Sequence, residues 1–291
     1  MNSRRSIRCR AVASFLCLFA VVTVYGCSSP APIPVPPAQK QALSWNKRGL
    51  AAEARGNRDG AISAFEESLR INKSIEDFDG TAVSLLNLAR VHRKKTQLPV
   101  AKERIEEALR IVSPDNPLFP EAAFEKARVE LAMGNLPGAE EWARKATPAE
   151  KKPYSGRMQN LLSRILFLEG KADEALLLAE VALESNREYR ERAEEANSLR
   201  LIGDIALAGG DPQGAETHYL AALAIDKELA ESGKIALDLR ALGAAAAARG
   251  ETDKAIAFYE RAIEVSRGGN MPTEAEAALS ELNRIKEAPS R

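Results

Sequence analysis

The sequence predicts an all-α fold built as a row of antiparallel helical hairpins. The clearest unit lies in residues 197 to 225, where two Ala- and Leu-rich runs are separated by Gly209, Gly210, Asp211 and Pro212. Glycine and proline in this order end one helix and allow the next to begin at once. Small residues recur on both sides of the break, where two packed helices have to approach closely. The unit therefore predicts a helical hairpin.

The hairpin pattern occurs six times along the chain, including this unit. We define the anchor site as the small residue that opens the second helix of each hairpin. The anchor sites are Ala61, Ala101, Ala139, Ala175, Ala215 and Ala255. Their spacings are 40, 38, 36, 40 and 40 residues. A period in this range is typical of an array in which each hairpin relies on its neighbours for burial.

Two further small sites accompany every anchor site. The leading small site, twelve residues earlier, is Gly49, Ala89, Ala127, Ser163, Gly203 or Gly243. The trailing small site, seven residues later, is Ser68, Ala108, Ala146, Ala182, Ala222 or Ala262. All eighteen sites carry Gly, Ala or Ser. The pattern therefore predicts close helix contacts at the same three levels of every hairpin.

A turn site and a plug site complete the pattern. The turn site, five residues before the anchor, is Gly56, Thr96, Gly134, Gly170, Gly210 or Gly250. Glycine suits a helix end that needs left-handed backbone. The plug site, four residues after the anchor, is Phe65, Ile105, Ala143, Ala179, Tyr219 or Tyr259. Where the plug site is alanine, we expect Trp142 and Leu178 to fill the space between hairpins.

This order of small and aromatic sites resembles that of the tetratricopeptide repeat (TPR) family, whose usual unit is a helix-turn-helix of about 34 residues. The resemblance covers about residues 42 to 267 and implies a right-handed solenoid of about six hairpins that binds other proteins. The predicted repeats lie near residues 42–74, 82–113, 120–150, 156–190, 196–230 and 236–267. Because the period is longer than usual and most units lack a closing proline, we expect an extra helical turn or a looser link between hairpins.

A capping helix is predicted at residues 274–286. Gly268, Gly269 and Asn270 end the preceding helix, and Thr273 with Glu276 forms a capping-box pattern for the next. The apolar face of this last helix is predicted to hold Ala275, Ala278, Leu279, Leu282 and Ile285. A lone helix with one apolar face is what a solenoid needs to cover its final hairpin.

The N-terminal segment resembles a bacterial lipoprotein signal peptide, predicted at residues 1–26. Residues 1 to 10 hold four arginines and no acid, and the fifteen residues from 11 to 25 are mostly apolar. A membrane span needs about 20 apolar residues, so this run suits the apolar core of an export signal. Gly26 and Cys27 match the site where such peptides are cut and lipid is attached to the cysteine. An ordinary export signal or an uncleaved anchor is the alternative.

A lipidated Cys27 and a proline-rich tether are predicted at residues 27–41, followed by the solenoid at 42–291. Residues 28 to 40 contain five prolines, which predicts a non-helical spacer of about 40 Å at about 3.1 Å per residue. Lipid on Cys27 would hold the chain to a membrane. Ser28 after the lipidated cysteine favours, by resemblance, the periplasmic side of the outer membrane of a Gram-negative envelope.

The remaining sequence contains no recognisable chemistry. It lacks a His-Glu-x-x-His zinc pair, a Gly-x-Ser-x-Gly nucleophile turn and a phosphate-binding loop. Without the leader the chain has 37 basic and 41 acidic side chains, which does not suggest nucleic acid. We therefore predict no enzyme, no cofactor and no metal, but a scaffold for other envelope proteins, with assembly of a pilus, secretion or polymer-export complex as the first process to test. A small-molecule or glycan binder and an enzyme with an unrecognised site remain alternatives.

A row of arginines is the predicted partner-binding groove. The family resemblance places the groove at the residues three before and one after each leading small site, which share a helix face. The predicted groove residues at these sites are Arg90, Arg128, Asn160, Arg164, Arg200 and Arg240. Asn197 is added to them because it would bond the partner's backbone together with Asn160. One hypothesis is that the row receives an acidic segment of a partner. The alternative is that neighbouring carboxylates of the chain itself, such as Asp204, pair with the arginines.

Overall fold

The computed structural model describes residues 35–147 and 152–287. The predicted signal peptide and Cys27 lie outside these residues. The described residues contain thirteen α-helices and no strand, which confirms the predicted all-α fold. The helices are α1 Pro37–Ala54, α2 Arg58–Ser74, α3 Phe78–Lys94, α4 Leu98–Ile111, α5 Phe119–Ala132, α6 Leu136–Ala146, α7 Ser155–Leu168, α8 Ala172–Glu188, α9 Arg192–Ala208, α10 Pro212–Glu228, α11 Ser232–Ala248, α12 Thr252–Gly268 and α13 Pro272–Glu287.

The helices form a two-layered solenoid. Each helix packs against the next, and each odd-numbered helix also contacts the following odd-numbered helix. In the described chain the backbones of the even-numbered helices stay apart, and these helices meet only through long side chains, as in the ion pair between Lys73 and Glu107. The odd-numbered helices are therefore closer together and form the inner, concave layer. Within the described part, no helix is both long enough and apolar enough to cross a membrane.

The small sites predicted from the repeat are buried in every hairpin. All six anchor sites are completely inaccessible to solvent, and the leading and trailing small sites are buried as well. The six turn sites all have left-handed backbone, with φ between 58° and 82°. Thr96 adopts this conformation although it has a branched side chain. The predicted register of the hairpins is thus confirmed.

The residues at the plug sites are buried, and their sizes are complementary to those of the leading small sites: the largest plugs face glycine. A Cβ atom added to Gly49, Gly203 or Gly243 would lie within 2.8 Å of the aromatic ring at the plug site of the same hairpin. Alanine or serine occupies the leading site where the plug is Ile105 or alanine. Trp142 and Leu178 pack against the core next to the two alanine plugs, as expected.

The longer period has two physical origins. Most helices have 17 residues and are joined by three-residue turns, so the extra length is an additional helical turn. In the middle of the chain α4, α5, α6 and α7 have only 11 to 14 residues. There the connections after α4 and α6 are longer. Both predicted explanations, extra helix and looser link, therefore occur in different parts of one chain.

Three local predictions are wrong. The helix α1 begins at Pro37, so the last four residues of the segment predicted as non-helical are helical; proline is tolerated at the first position of a helix. The helix α13 begins at Pro272, which places Thr273 inside the helix rather than at its N-cap. Leu279 is 39% exposed because α13 buries only the line through Ala278 and Leu282.

Candidate functional site

A cavity of about 410 Å³ opens on the concave surface between α5, α7, α9 and α11. We call it the central cavity. Its apolar wall consists of Phe124, Leu161, Leu201 and Leu237. Its charged residues are Arg128, Arg157, Arg164, Arg200, Lys234, Glu194 and Asp204. Five of the seven predicted groove residues, namely Arg128, Asn160, Arg164, Asn197 and Arg200, line it, whereas Arg90 and Arg240 do not.

Arg90 belongs to a buried cluster around Glu125, which we call the Glu125 cluster. Arg90 donates to Glu125 Oε1 at 3.1 Å and Arg128 donates to the same oxygen at 3.1 Å. Arg93 lies 3.6 Å from the other carboxylate oxygen. Burial raises the pKa of Glu125, but Arg128, Arg90 and Arg93 outweigh this effect and hold the pKa below its ordinary value. The cluster contains three guanidiniums around one buried carboxylate, and Arg90 also donates to the partly exposed Glu121 at 3.0 Å.

Arg200 is the centre of a second buried cluster, which we call the Arg200 cluster. It donates from Nε to Asp238 Oδ1 at 2.6 Å, and from Nη2 to Asp226. All three side chains are at most 8% exposed. Burial, together with the neighbouring Asp226, raises the pKa of Asp238 to about 7 despite the guanidinium. This cluster therefore contains two carboxylates and one guanidinium.

Arg240 and the two asparagines of the groove also have partners within the chain. Arg240 donates to both carboxylate oxygens of Glu281, at 3.0 and 2.5 Å, and so fastens the capping helix α13. Asn160 donates to the Glu194 carbonyl at 3.1 Å and accepts from Ser198 at 2.8 Å. Asn197 donates to the Glu194 carboxylate at 3.1 Å. These side chains join neighbouring repeats to each other.

Two cations of the central cavity have no carboxylate partner among the described residues. Arg164 is exposed and forms no hydrogen bond or ion pair with the described residues. Its positive charge acts on Asp204 only through space and counteracts the rise that burial causes in the pKa of Asp204. Lys234 donates to the Asn197 amide oxygen at 3.0 Å but forms no ion pair. Burial and the neighbouring Arg200 lower the pKa of Lys234. The acidic residues of the cavity are occupied, since Glu194 accepts from Asn160 and Asn197 while Asp204 accepts from Tyr219.

The repeat explains why Arg164 lacks a carboxylate. Arg90 and Arg164 are equivalent, each one residue after its leading small site. Arg90 receives Glu125, which lies two residues before the next leading small site. Leu201 occupies that position in the repeat after Arg164 and lines the cavity instead.

The sequence interpretation missed Arg157, Lys234 and Leu237. They lie six or nine residues before a leading small site, on the same helix face as the predicted row but closer to the helix N-termini. Their positions follow from the predicted site three residues before each leading small site if the row is extended from there by another three or six residues towards the helix N-terminus.

The comparison with family models decides the assignment of the chain. Models described as tetratricopeptide repeat match residues 40–113, 154–228 and 194–268, and a second such model matches residues 86–155. The chain belongs to the tetratricopeptide repeat family. A TPR array of this kind is a scaffold for protein–protein interaction. A comparison with curated proteins gave no match.

Three of the solved structures with a similar fold share 16 to 20% sequence identity with this chain. A Rap protein complexed with Competence and Sporulation Factor is 16% identical, with a TM-score of 0.64, over 85% of this chain and 85% of that chain. Pseudomonas aeruginosa pilF is 16% identical, with a TM-score of 0.56, over 84% of this chain and 100% of that chain. BtubC from P. vanneervenii is 20% identical, with a TM-score of 0.54, over 81% of this chain and 93% of that chain. These likenesses concern the fold.

Within residues 35–147 and 152–287 no three His, Cys, Asp or Glu side chains are grouped as metal ligands. The perturbed carboxyl groups Glu125, Asp204 and Asp238 are each hydrogen-bonded to an arginine or tyrosine of the chain. Structural ion-pair networks perturb pKa values as active sites do. Glu125 and Asp238 join successive repeats, and Asp204 joins the two helices of one hairpin.

Proposed function

We propose that this TPR protein is a lipid-anchored scaffold of the bacterial envelope that binds a partner protein on its concave surface. The observation that carries the proposal is the central cavity, where apolar and cationic side chains of four successive inner helices remain available to a ligand. An elongated concave surface of this kind suits an extended or helical segment of another protein. The proposed anchor is lipid on Cys27, on the periplasmic side of the outer membrane if the cell is Gram-negative.

The anchor is tested by Cys27→Ser in the full-length protein. We expect metabolic labelling with a fatty acid to mark the wild type and not the variant, because the sulfur of Cys27 is the proposed acceptor. The variant should also leave the membrane fraction. Equal labelling of both proteins would remove lipidation from the proposal and leave the interaction scaffold untouched.

The scaffold function is tested by capture from membranes with a blocked cavity. Leu237 lies in the cavity and is 40% exposed, whereas Leu177 on the outer helix α8 is 64% exposed. Leu237→Lys should abolish recovery of the partner, while the matched control Leu177→Lys should not, since both add a lysine at an exposed leucine. Partners recovered equally with both variants would place binding elsewhere than the concave surface.

For the process, we propose assembly of a pilus, secretion or polymer-export complex as the first to examine. The support is limited to the lipoprotein-like leader of this sequence and the likeness in fold to pilF. Identification by mass spectrometry of the proteins captured with the wild type, but not with Leu237→Lys, tests this. Captured proteins from an unrelated envelope process would redirect the proposal without affecting the scaffold.

A second candidate function is the binding of a polar small molecule or glycan. A cavity of about 360 Å³ at the N-terminal end of the solenoid is lined by the amides of Gln39, Asn46, Asn72 and Asn116. Amide groups suit the hydroxyl groups of such ligands because they both donate and accept. Native mass spectrometry of the purified protein should reveal a retained ligand that Asn46→Leu no longer holds.

A further inference from the structure

Most arginines of the predicted groove are already used by the chain itself. Arg90 and Arg128 surround Glu125, Arg200 lies between two aspartates, and Arg240 grips Glu281. Removing Arg200 or Arg240 would leave a buried or half-buried carboxylate without its guanidinium, and removing Arg90 or Arg128 would weaken the compensation of the buried Glu125, which disturbs the fold. These four arginines are therefore poor candidates for holding a ligand.

Arg164 and Lys234 differ from the rest of the row. Both line the central cavity, and neither has a carboxylate within ion-pair distance among the described residues. They stand on α7 and α11, with α9 between them. An anionic ligand that reaches both must therefore cross α9, which suits a segment with several acidic groups better than a single small anion.

The apolar wall specifies the rest of the ligand. Phe124 is flanked by the guanidiniums of Arg157 and Arg128, at 4.5 and 5.4 Å from the ring centroid. Leu237 presents 40% of its surface to solvent in the same cavity. Phe124 is only 4% exposed and forms the floor of the cavity, whereas Leu161 is partly exposed beside Leu237. Accessible apolar side chains close to Arg164 and Lys234 favour a ligand that alternates acidic and apolar groups.

We propose that the partner contributes an acidic segment whose carboxylates bind Arg164 and Lys234 and whose apolar side chains pack on Leu161 and Leu237. This inference rests on the proposed scaffold function and specifies its ligand. Arg90, Arg128, Arg200 and Arg240 shape the surface but do not bind the segment. Charge-assisted hydrogen bonds to two cations make the association sensitive to ionic strength.

The test uses the full-length protein in detergent and a displayed pool of random peptides, followed by sequencing of the retained peptides. The wild type should enrich peptides that combine Asp or Glu with large apolar residues. Arg164→Met with Lys234→Met keeps the apolar stems of both residues and removes the charges. We expect it to lose at least about tenfold in retention of these peptides, because one charge-assisted bond corresponds to about that factor.

Two further variants make the result decisive. Arg70→Met with Lys73→Met removes two exposed cations from the outer helix α2 and should leave the selection unchanged. Arg164→Glu with Lys234→Glu should select basic peptides instead, a gain that an unfolded protein cannot show. Circular dichroism confirms helix content in each case.

Peptides enriched without acidic residues, or an acidic preference that survives Arg164→Met with Lys234→Met, would overturn the inference while the scaffold function stands. Binding of citrate in calorimetry without any enrichment of peptides would assign the cavity to a small anion and overturn it too. Failure of the scaffold function itself shows separately, as membrane capture that is the same for Leu237→Lys and the wild type.

Discussion

The Glu125 cluster and the Arg200 cluster solve one packing problem with opposite compositions. Each joins successive repeats through buried ion pairs beneath the concave surface. The Glu125 cluster has three guanidiniums for one carboxylate, and the Arg200 cluster has two carboxylates for one guanidinium. The pKa of Glu125 is lowered, whereas that of Asp238 is raised to about 7.

An excess of buried carboxylates and an excess of buried guanidiniums therefore have different consequences for stability. A buried carboxylate in excess can bind a proton at an accessible pH and become neutral. A guanidinium in excess keeps its proton at every physiological pH. The Glu125 cluster depends on its carboxylate at every physiological pH, while the Arg200 cluster can adjust.

Removing the carboxylate of the Glu125 cluster should give the largest effect. Glu125→Ala leaves Arg93 and Arg128 without a carboxylate, while Arg90 keeps only the partly exposed Glu121, and should lower the free energy of unfolding by about 3 to 5 kcal/mol. Urea unfolding followed by circular dichroism measures this. Glu121→Ala, whose side chain is 27% exposed, is the control and should cost about 1 kcal/mol or less. Equal losses for the two variants would show that Glu125 is not the centre of the cluster.

Removing the guanidinium of the Arg200 cluster should cost less. Arg200→Met leaves Asp226 and Asp238 facing each other, but one of them can bind a proton, so we expect a loss of about 2 to 3 kcal/mol at pH 7. The loss should shrink at pH 5 as protonation becomes easier. Urea unfolding at the two pH values measures it, with the wild type as reference. A loss that grows towards pH 5 would contradict the explanation.

The titration of Asp238 should give an effect that is small within any one pH unit and accumulates across the range. The folded protein holds a proton on Asp238 up to pH about 7, whereas the unfolded chain releases it near pH 3.9. The free energy of unfolding should therefore fall as pH rises from about 4 to about 7, by at most about 1.4 kcal/mol per pH unit from this group. Asp238→Asn removes the contribution.

The measurement is the difference in unfolding free energy between the wild type and Asp238→Asn across that pH range. Subtraction removes the titration of the other carboxyl groups, which both proteins share. Asp238 is surrounded by Arg200 from α9, Asp226 from α10 and Lys234 from its own helix. A difference independent of pH would mean that Asp238 is ionised throughout.

The sequence was sufficient for the hairpins because their packing repeats. Ala215, Gly203 and Ala222 are buried for the same reason as their counterparts in the other five hairpins. A helix end such as Gly210 requires left-handed backbone wherever it occurs. Six copies of one physical constraint are easier to recognise than a single copy. The start of α1 at Pro37 was missed because proline both breaks helices and begins them.

The ion pairs could not be predicted because their partners follow no single offset. Arg200 binds acids 26 and 38 residues away, and Arg240 binds one 41 residues away. Within the described chain, Arg164 has no carboxylate partner because Leu201 stands at the position in the next repeat where Glu125 stands for Arg90. The two clusters and the two free cations therefore became apparent only from the positions of the side chains.

The matched sizes of leading small sites and plugs have a consequence for how such a chain is inherited. Placing the first helix of the second hairpin, with Ala89, opposite Tyr219 would put a methyl group about 2.6 Å from the ring. Such overpacking typically costs about 1 to 3 kcal/mol. Duplication of a whole hairpin preserves the match, whereas recombination within a hairpin breaks it. An averaged repeat sequence meets the opposite problem: glycine is the commonest residue at the leading small site, whereas alanine is as common as tyrosine at the plug site. A repeat that combined glycine with alanine would leave a gap between the helices, so the two positions have to be copied together.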